Sequence, residues 1–174
     1  IFDSAGSEIF KNITELAEYL PAACEFEIIR HHKNSIAELI TGDTFNLIEL
    51  GSGDGCKTRI LIEHLLGRKF SFHYFPIDIS SGAVENLVGS LESDHQGAPL
   101  KVTGLIGDYF AGLNSIVQGS PKQNLVLFLG VSLNNMDPPA ARAFLKNLNK
   151  TLGPKDYLLI GFDLMKNPKL LYSA

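Results

Sequence analysis

The 174-residue chain carries 15 Lys and Arg against 19 Asp and Glu, a net charge of -4, and 45% of its residues are hydrophobic. That length suits one domain burying roughly 70% of its unfolded surface; the acidic balance argues against a nucleic-acid binder, which usually carries a basic face, and no stretch nears the ~20 apolar residues that span a bilayer. Cys24 and Cys56 make no disulfide framework and lack metal-ligand spacing, so reduced thiols in a cytoplasmic protein are expected.

Apolar residues Ile9, Phe10, Ile13, Leu16, Ala17 and Leu20 recur at helical spacing and predict a helix over 5–20, which Pro21 separates from a second over 24–40. Strands are predicted at 45–50, 70–78, 100–107, 123–130 and 157–163, and helices at 55–67, 80–93, 109–118 and 138–152. Leu125–Leu129 and Tyr157–Ile160 are almost continuous apolar runs, as strands buried on both faces are. The fold class that follows is α/β: a mostly parallel, doubly wound, Rossmann-like sheet with N-terminal helices. No internal repeat or low-complexity tract interrupts it, and 94–99 and 119–123 read as surface loops. The chain opens and stops in mid-pattern, at Ile1-Phe2 and Leu171–Ala174, with no visible signal peptide, so a trimmed piece of something longer is expected.

The first strand runs directly into Gly51-Ser52-Gly53-Asp54-Gly55 and then a helix. Glycine permits the tight turn and a close ligand, and the helix start offers unpaired N–H groups. Three ligand classes use such a turn. A P-loop needs glycine directly before Lys-Ser/Thr, but Cys56 precedes Lys57-Thr58 and the spacing is one residue short. A dinucleotide fingerprint needs G-x-G-x-x-G, and Cys56 takes the third glycine's place; small residues can stand there, which leaves an NAD-dependent oxidoreductase as a distant alternative. S-adenosylmethionine, whose charged amino-acid tail needs no pyrophosphate cradle, fits better. Glu49 stands as the acid before the turn, Asp78 ends the second strand where a carboxylate accepts two ribose hydroxyls, and Asp108, followed by Tyr109, ends the third where adenine would be framed. Singly, each acid is as readily a loop residue or helix cap. At three consecutive strand ends, they are expected to face the crevice where open α/β sheets bind ligands.

Other features read more blandly. Asp137-Pro138-Pro139 resembles the motif of base-amine methylation, but Ala140 stands where an aromatic is needed and an Asp N-cap followed by Pro explains it. His31 and His32 are adjacent on a helix and share no face, while His64, His73 and His95 are isolated, so no metal site is expected. Cys56 is expected to be a packed small residue rather than a nucleophile, and Asp163 either faces the crevice or caps.

Several segments together resemble the histidine-specific Nα-methyltransferases of ergothioneine biosynthesis and their fungal relatives that methylate a prenylated tryptophan. They are Phe2–Phe10, Glu18-Tyr19, Glu49–Gly53 with Lys57–Arg59, Pro76–Ser80, Gly107-Asp108, Leu127–Gly130 with Asn135, and Asp163–Lys166. The resemblance implies a class I methyltransferase fold with S-adenosylmethionine held by Gly51, Ser52, Gly53, Lys57, Asp78, Asp108 and Tyr109, beside Glu49. It further implies that Asn135 holds the α-amino group of a small amino-acid substrate and that Tyr19 lines its pocket. Residues 1–42 would then contribute to the substrate pocket and 43–174 bind the donor. The implied reaction is N-methylation of an amino acid, histidine first, with a tryptophan-derived amine or a donor-binding fragment without catalysis as alternatives. Phe2 replaces a tyrosine, Leu20 and Ala23 replace a tyrosine and an arginine, and Asn134 replaces a glycine of the family pattern. The family also continues beyond this chain into closing strands and a substrate domain. Their absence would leave a sheet edge exposed and favour self-association.

Overall fold

The computed structural model describes Ile13 and residues 20–164; the helix expected over 5–20, including Tyr19, lies almost wholly outside the described residues. The described elements are α1 (Leu20–Glu38), β1 (Thr44–Leu50), α2 (Cys56–Gly67), β2 (Ser71–Asp78), α3 (Ser81–Asp94), β3 (Leu100–Val102), β4 (Leu105–Ile106), α4 (Tyr109–Gly119), β5 (Gln123–Phe128), a 3-10 turn (Ser132–Asn135), α5 (Pro138–Thr151) and β6 (Tyr157–Ile160). Every described strand pair is parallel, in the order β3-β2-β1-β5-β6, with β4 continuing the β3 edge alongside β2. The doubly wound α/β sheet expected from the alternation is therefore present.

Two details differ from the expected boundaries. The described part of α1 already contains Leu20 and Pro21, so the second helix starts before residue 24. The strand expected over 100–107 is broken at Thr103-Gly104, because the chain there passes so close to α3 that a Cβ on Gly104 would lie 2.3 Å from Val84 Cγ1.

Helices cover both faces. Phe45 and Leu47 of β1 point to one core with Leu61, Ile62 and Leu65 of α2 and Leu87 and Leu91 of α3. Ile48 and Leu50 point to the other, with Leu113 and Ile116 of α4 and Phe144 and Leu148 of α5. This alternation explains why β1 reads as an unbroken buried run after Thr44. A buried polar tie reinforces the sheet centre: Asn46 Nδ2 donates to Asn124 Oδ1 at 2.9 Å, and Asn124 Nδ2 donates to Asp156 Oδ1 at 3.0 Å. β6 is only half-buried, with Tyr157 and the following Phe162 and Leu164 exposed.

The same alternation corrects the expected orientation of Glu49. It shares a face with Phe45 and Leu47, so its side chain enters the layer between sheet and α2 instead of the crevice. Glu49 is 3% exposed; Thr58 Oγ1 donates to its Oε1 at 2.6 Å, and the Tyr74 hydroxyl donates to Oε2. Burial pushes its pKa from 4.5 up to about 7, against the opposing effect of these two hydrogen bonds and the Lys57 charge. Burial and the neighbouring carboxylate also raise the Tyr74 hydroxyl well above its ordinary value.

Between pH 4.5 and about 7 the unfolded chain releases the Glu49 proton while the folded chain keeps it. The contribution of this group is thus fully present below pH 4.5 and lost as the pH rises to about 7, a change of roughly 3 kcal/mol. Glu49→Gln removes the titration and retains the shape, so its urea-unfolding free energy should vary less over that window and equal or exceed wild type at pH 8. Parallel pH profiles for the two proteins would contradict this.

Candidate functional site

The strand order places β2 and β5 on opposite sides of β1. The chain winds away from β1 in both directions, leaving a crevice beyond the carboxyl ends of β1 and β5, where open α/β sheets bind ligands. Gly51 (φ +76°), Gly53 (φ +52°) and Gly55 (φ +66°) line its floor, each in the left-handed region. Two have separate steric reasons to lack a side chain. A Cβ on Gly51 would lie 2.8 Å from the Tyr109 hydroxyl, and one on Gly55 2.6 Å from Leu87 Cδ1. Gly53 instead faces open space.

Asp78 fastens this turn to the neighbouring strand. Its Oδ2 accepts from Gly53 N at 3.0 Å and its Oδ1 from Ser80 N at 3.0 Å. The helix cap is not Asp78 but Ser80, whose hydroxyl accepts from Ala83 N at the start of α3. Asp108, by contrast, is an N-cap: Oδ1 accepts from Phe110 N and Ala111 N, each at 2.9 Å. The ring of Tyr109 leans over the turn onto Gly51 and meets Phe128 edge-on, with centroids 6.1 Å apart. Desolvation, then the charges of Asp78 and Asp108, raise its hydroxyl pKa, so it stays a neutral donor facing two carboxylates.

Gly51, Ser52, Gly53, Asp78, Asp108 and Tyr109 therefore gather at one end of the sheet, with Lys57 in the first turn of α2 above them. Ser52 is 6% exposed, and its hydroxyl is a buried polar group without a hydrogen-bond partner among the described residues. An orphaned hydroxyl on a turn with open space over Gly53 suits a polar ligand seated on the backbone. These residues thus fit the amino-acid tail and ribose of S-adenosylmethionine: a hydroxyl and glycine backbone for the tail, and a carboxylate at the second strand's end for the ribose.

The substrate-side residues are less gathered. Asn135 is exposed at the end of the 3-10 turn. Its neighbour Asn134 is engaged structurally, donating to the Asp163 carbonyl at 2.8 Å and accepting from Asp163 N at 3.3 Å. Asp163 thus lies beyond β6 and braces that turn through its backbone. Cys56 is exposed, not packed as expected; partial desolvation of its sulfur and then Asp54 push the thiol up to about 12, which disfavours a thiolate. Asp137 caps α5 as expected, accepting from Ala140 N at 2.7 Å. Among the described residues, no group of three or more His, Cys, Asp or Glu is placed to hold a metal.

One residue at this end of the sheet escaped the sequence reading. Glu25 of α1 reaches the switch point, where Lys57 Nζ donates to its Oε2 at 2.5 Å and Gly130 N donates to Oε1 at 2.7 Å. These partners lie 32 and 105 residues away, and no local pattern distinguishes Glu25 from a solvated helix charge.

The model of the SAM-dependent, histidine-specific methyltransferase family matches residues 1–174. Histidine N-alpha-methyltransferase of Mycobacterium tuberculosis is 33% identical over 173 residues, which is 99% of this chain and 52% of that protein. Ergothioneine biosynthesis protein 1 of Neurospora crassa is 31% identical over 176 residues, 100% of this chain and 20% of that protein. The chain thus spans about half the length of its mycobacterial relatives. A solved Methanococcus maripaludis structure, provisionally assigned as an S-adenosyl-L-methionine-dependent methyltransferase, is 20% identical with a TM-score of 0.52 over 99% of this chain and 69% of that one. The fold is that of the class I methyltransferases, and the chain belongs to the SAM-dependent, histidine-specific methyltransferase family.

Proposed function

We propose that this chain binds S-adenosylmethionine at the β1–β5 switch point and serves an N-methyltransferase acting on the α-amino group of an amino acid, histidine first. The observation carrying this reading is the convergence of Gly51, Ser52, Gly53 and Asp78 at the carboxyl ends of β1 and β2, with an orphaned Ser52 hydroxyl among them. When bound, the donor would supply an electrophilic methyl on its sulfonium: the S–CH3 bond would break as the N–CH3 bond forms, a neutral thioether would leave, and the methylated amine would release its proton to solvent.

The chain's own part is then binding and orientation. Asp78 accepts from the ribose hydroxyls while its bond to Gly53 N keeps the turn in place. Tyr109 and Asp108 frame the adenine side. Asn135 receives the substrate's neutral amine and orients its lone pair, and the family resemblance makes Tyr19, which lies outside the described residues, a residue that lines the pocket. Residues 1–42 serve the substrate side and 43–174 the donor side, in a cytoplasmic enzyme. The tryptophan-derived amine draws no support from the family's histidine specificity. The exposed Tyr157, Phe162 and Leu164 along the β6 edge support self-association of the isolated chain; a concentration-independent monomer in light scattering would contradict that.

Calorimetry with S-adenosylhomocysteine, NAD and ATP tests the donor assignment. Only S-adenosylhomocysteine should bind, and Asp78→Asn should weaken it about tenfold or more through loss of a charge-assisted bond to the ribose. Selective NAD binding would overturn the assignment. Binding without methyl transfer to histidine would identify a donor-binding unit lacking independent catalysis.

A further inference from the structure

A short stretch of 3-10 helix makes few hydrogen bonds of its own, so the turn Ser132–Asn135 depends on its surroundings for a fixed shape. It is held at two points. Leu133 is buried in the core that contains Phe128 and Phe144. Asn134 provides the second hold: its Nδ2 donates to the Asp163 carbonyl at 2.8 Å, and its Oδ1 accepts from Asp163 N at 3.3 Å. A primary amide can donate and accept at once, so one side chain satisfies both backbone groups of a residue that lies past the end of β6. The segment it holds has little apolar anchoring, since Phe162 and Leu164 are 58% and 79% exposed. Asn134 stands where the family pattern has glycine, which could make neither bond.

Asn135, the next residue, ends the turn exposed and makes no side-chain hydrogen bond to another described residue. Its amide is available to a ligand, while the backbone that carries it is restrained. Resting on the substrate role proposed above for Asn135, we infer that Asn134 is a positioning residue for the substrate amine: its paired hydrogen bonds to Asp163 fix the turn that presents Asn135. A group ordered before binding loses less freedom when the ligand arrives, and an amine held by a displaced amide would miss the in-line geometry of methyl transfer. The pairing joins the chain after β5 to the chain after β6, so the substrate side of the crevice is built across two loops. The donor side does not depend on it, because Gly51, Ser52 and Gly53 are fixed by hydrogen bonds to β2.

Calorimetry separates the two sides. On the chain saturated with S-adenosylhomocysteine, Asn134→Ala should weaken histidine binding about tenfold, as loss of the paired bonds implies, while S-adenosylhomocysteine itself binds within about twofold of wild type. Asn135→Ala should also weaken histidine, and adding Asn134→Ala to it should change the affinity by less than about twofold, because a residue acting through Asn135 then has nothing left to position. Additive losses, or unchanged histidine affinity in a folded Asn134→Ala, would overturn the inference. Equal weakening of both ligands would overturn it too, assigning Asn134 to bracing the end of β6. Hydrogen exchange on unliganded wild type needs no variant: the Asp163 amide should exchange at least about tenfold more slowly than those of Phe162 and Leu164. Exchange at their rate would overturn the inference even if every variant misfolds. A wild type that binds S-adenosylhomocysteine but no histidine would overturn the substrate role of Asn135 and this inference with it, and leave the donor site standing.

Discussion

Between β1 and α2 the backbone takes a left-handed conformation at every second residue, with φ of +76°, +52° and +66° at Gly51, Gly53 and Gly55. L side chains rarely adopt such angles, and each substitution would carry strain on that ground alone. The path of this turn sets the positions of groups far apart in sequence. It aims Gly53 N at Asp78, brings Lys57 over the end of β5, and drops Thr58 into the layer below, against Glu49. Tyr109 rests on Gly51 because no Cβ intervenes. Asp78 returns the constraint, since its two oxygens hold the turn and the start of the next loop simultaneously.

Three of the carboxylate environments around the turn follow from depth. Glu49, below the turn, is without an adjacent cation in hydrogen-bond contact, and burial raises its pKa to about 7. Glu25, above the turn, keeps a lysine at 2.5 Å and a backbone donor. Asp108, at the rim, spends one oxygen on two helix N–H groups. Equivalent side-chain chemistry thus serves as a buried hydrogen-bond acceptor, a charged partner at the crevice and a helix cap.

The strands and helices were legible because buried parallel strands write continuous apolar runs and helices write a 3.6-residue period. The position of Asp78, at a strand's end beside the glycine turn, was legible from the spacing of the two. Glu49 was misread because position alone does not reveal face; counting the alternation from Phe45 and Leu47 would have sent it beneath α2. Gly104 broke the third strand for a reason no local pattern carries, the closeness of Val84. Glu25 was invisible because its contacts with Lys57 and Gly130 arise only when α1, the first turn of α2 and the end of β5 meet.

Amide chemical shifts followed during titration with S-adenosylhomocysteine address the central claim, that one crevice at the β1–β5 reversal binds the donor. The amides of Gly51, Ser52, Gly53, Tyr109 and Gly130 should move together and saturate at a single Kd, while those of Arg142 and Lys146 on the outer face of α5 stay fixed. Shifts confined to α5, or none around the glycine turn at saturating ligand, would contradict the account.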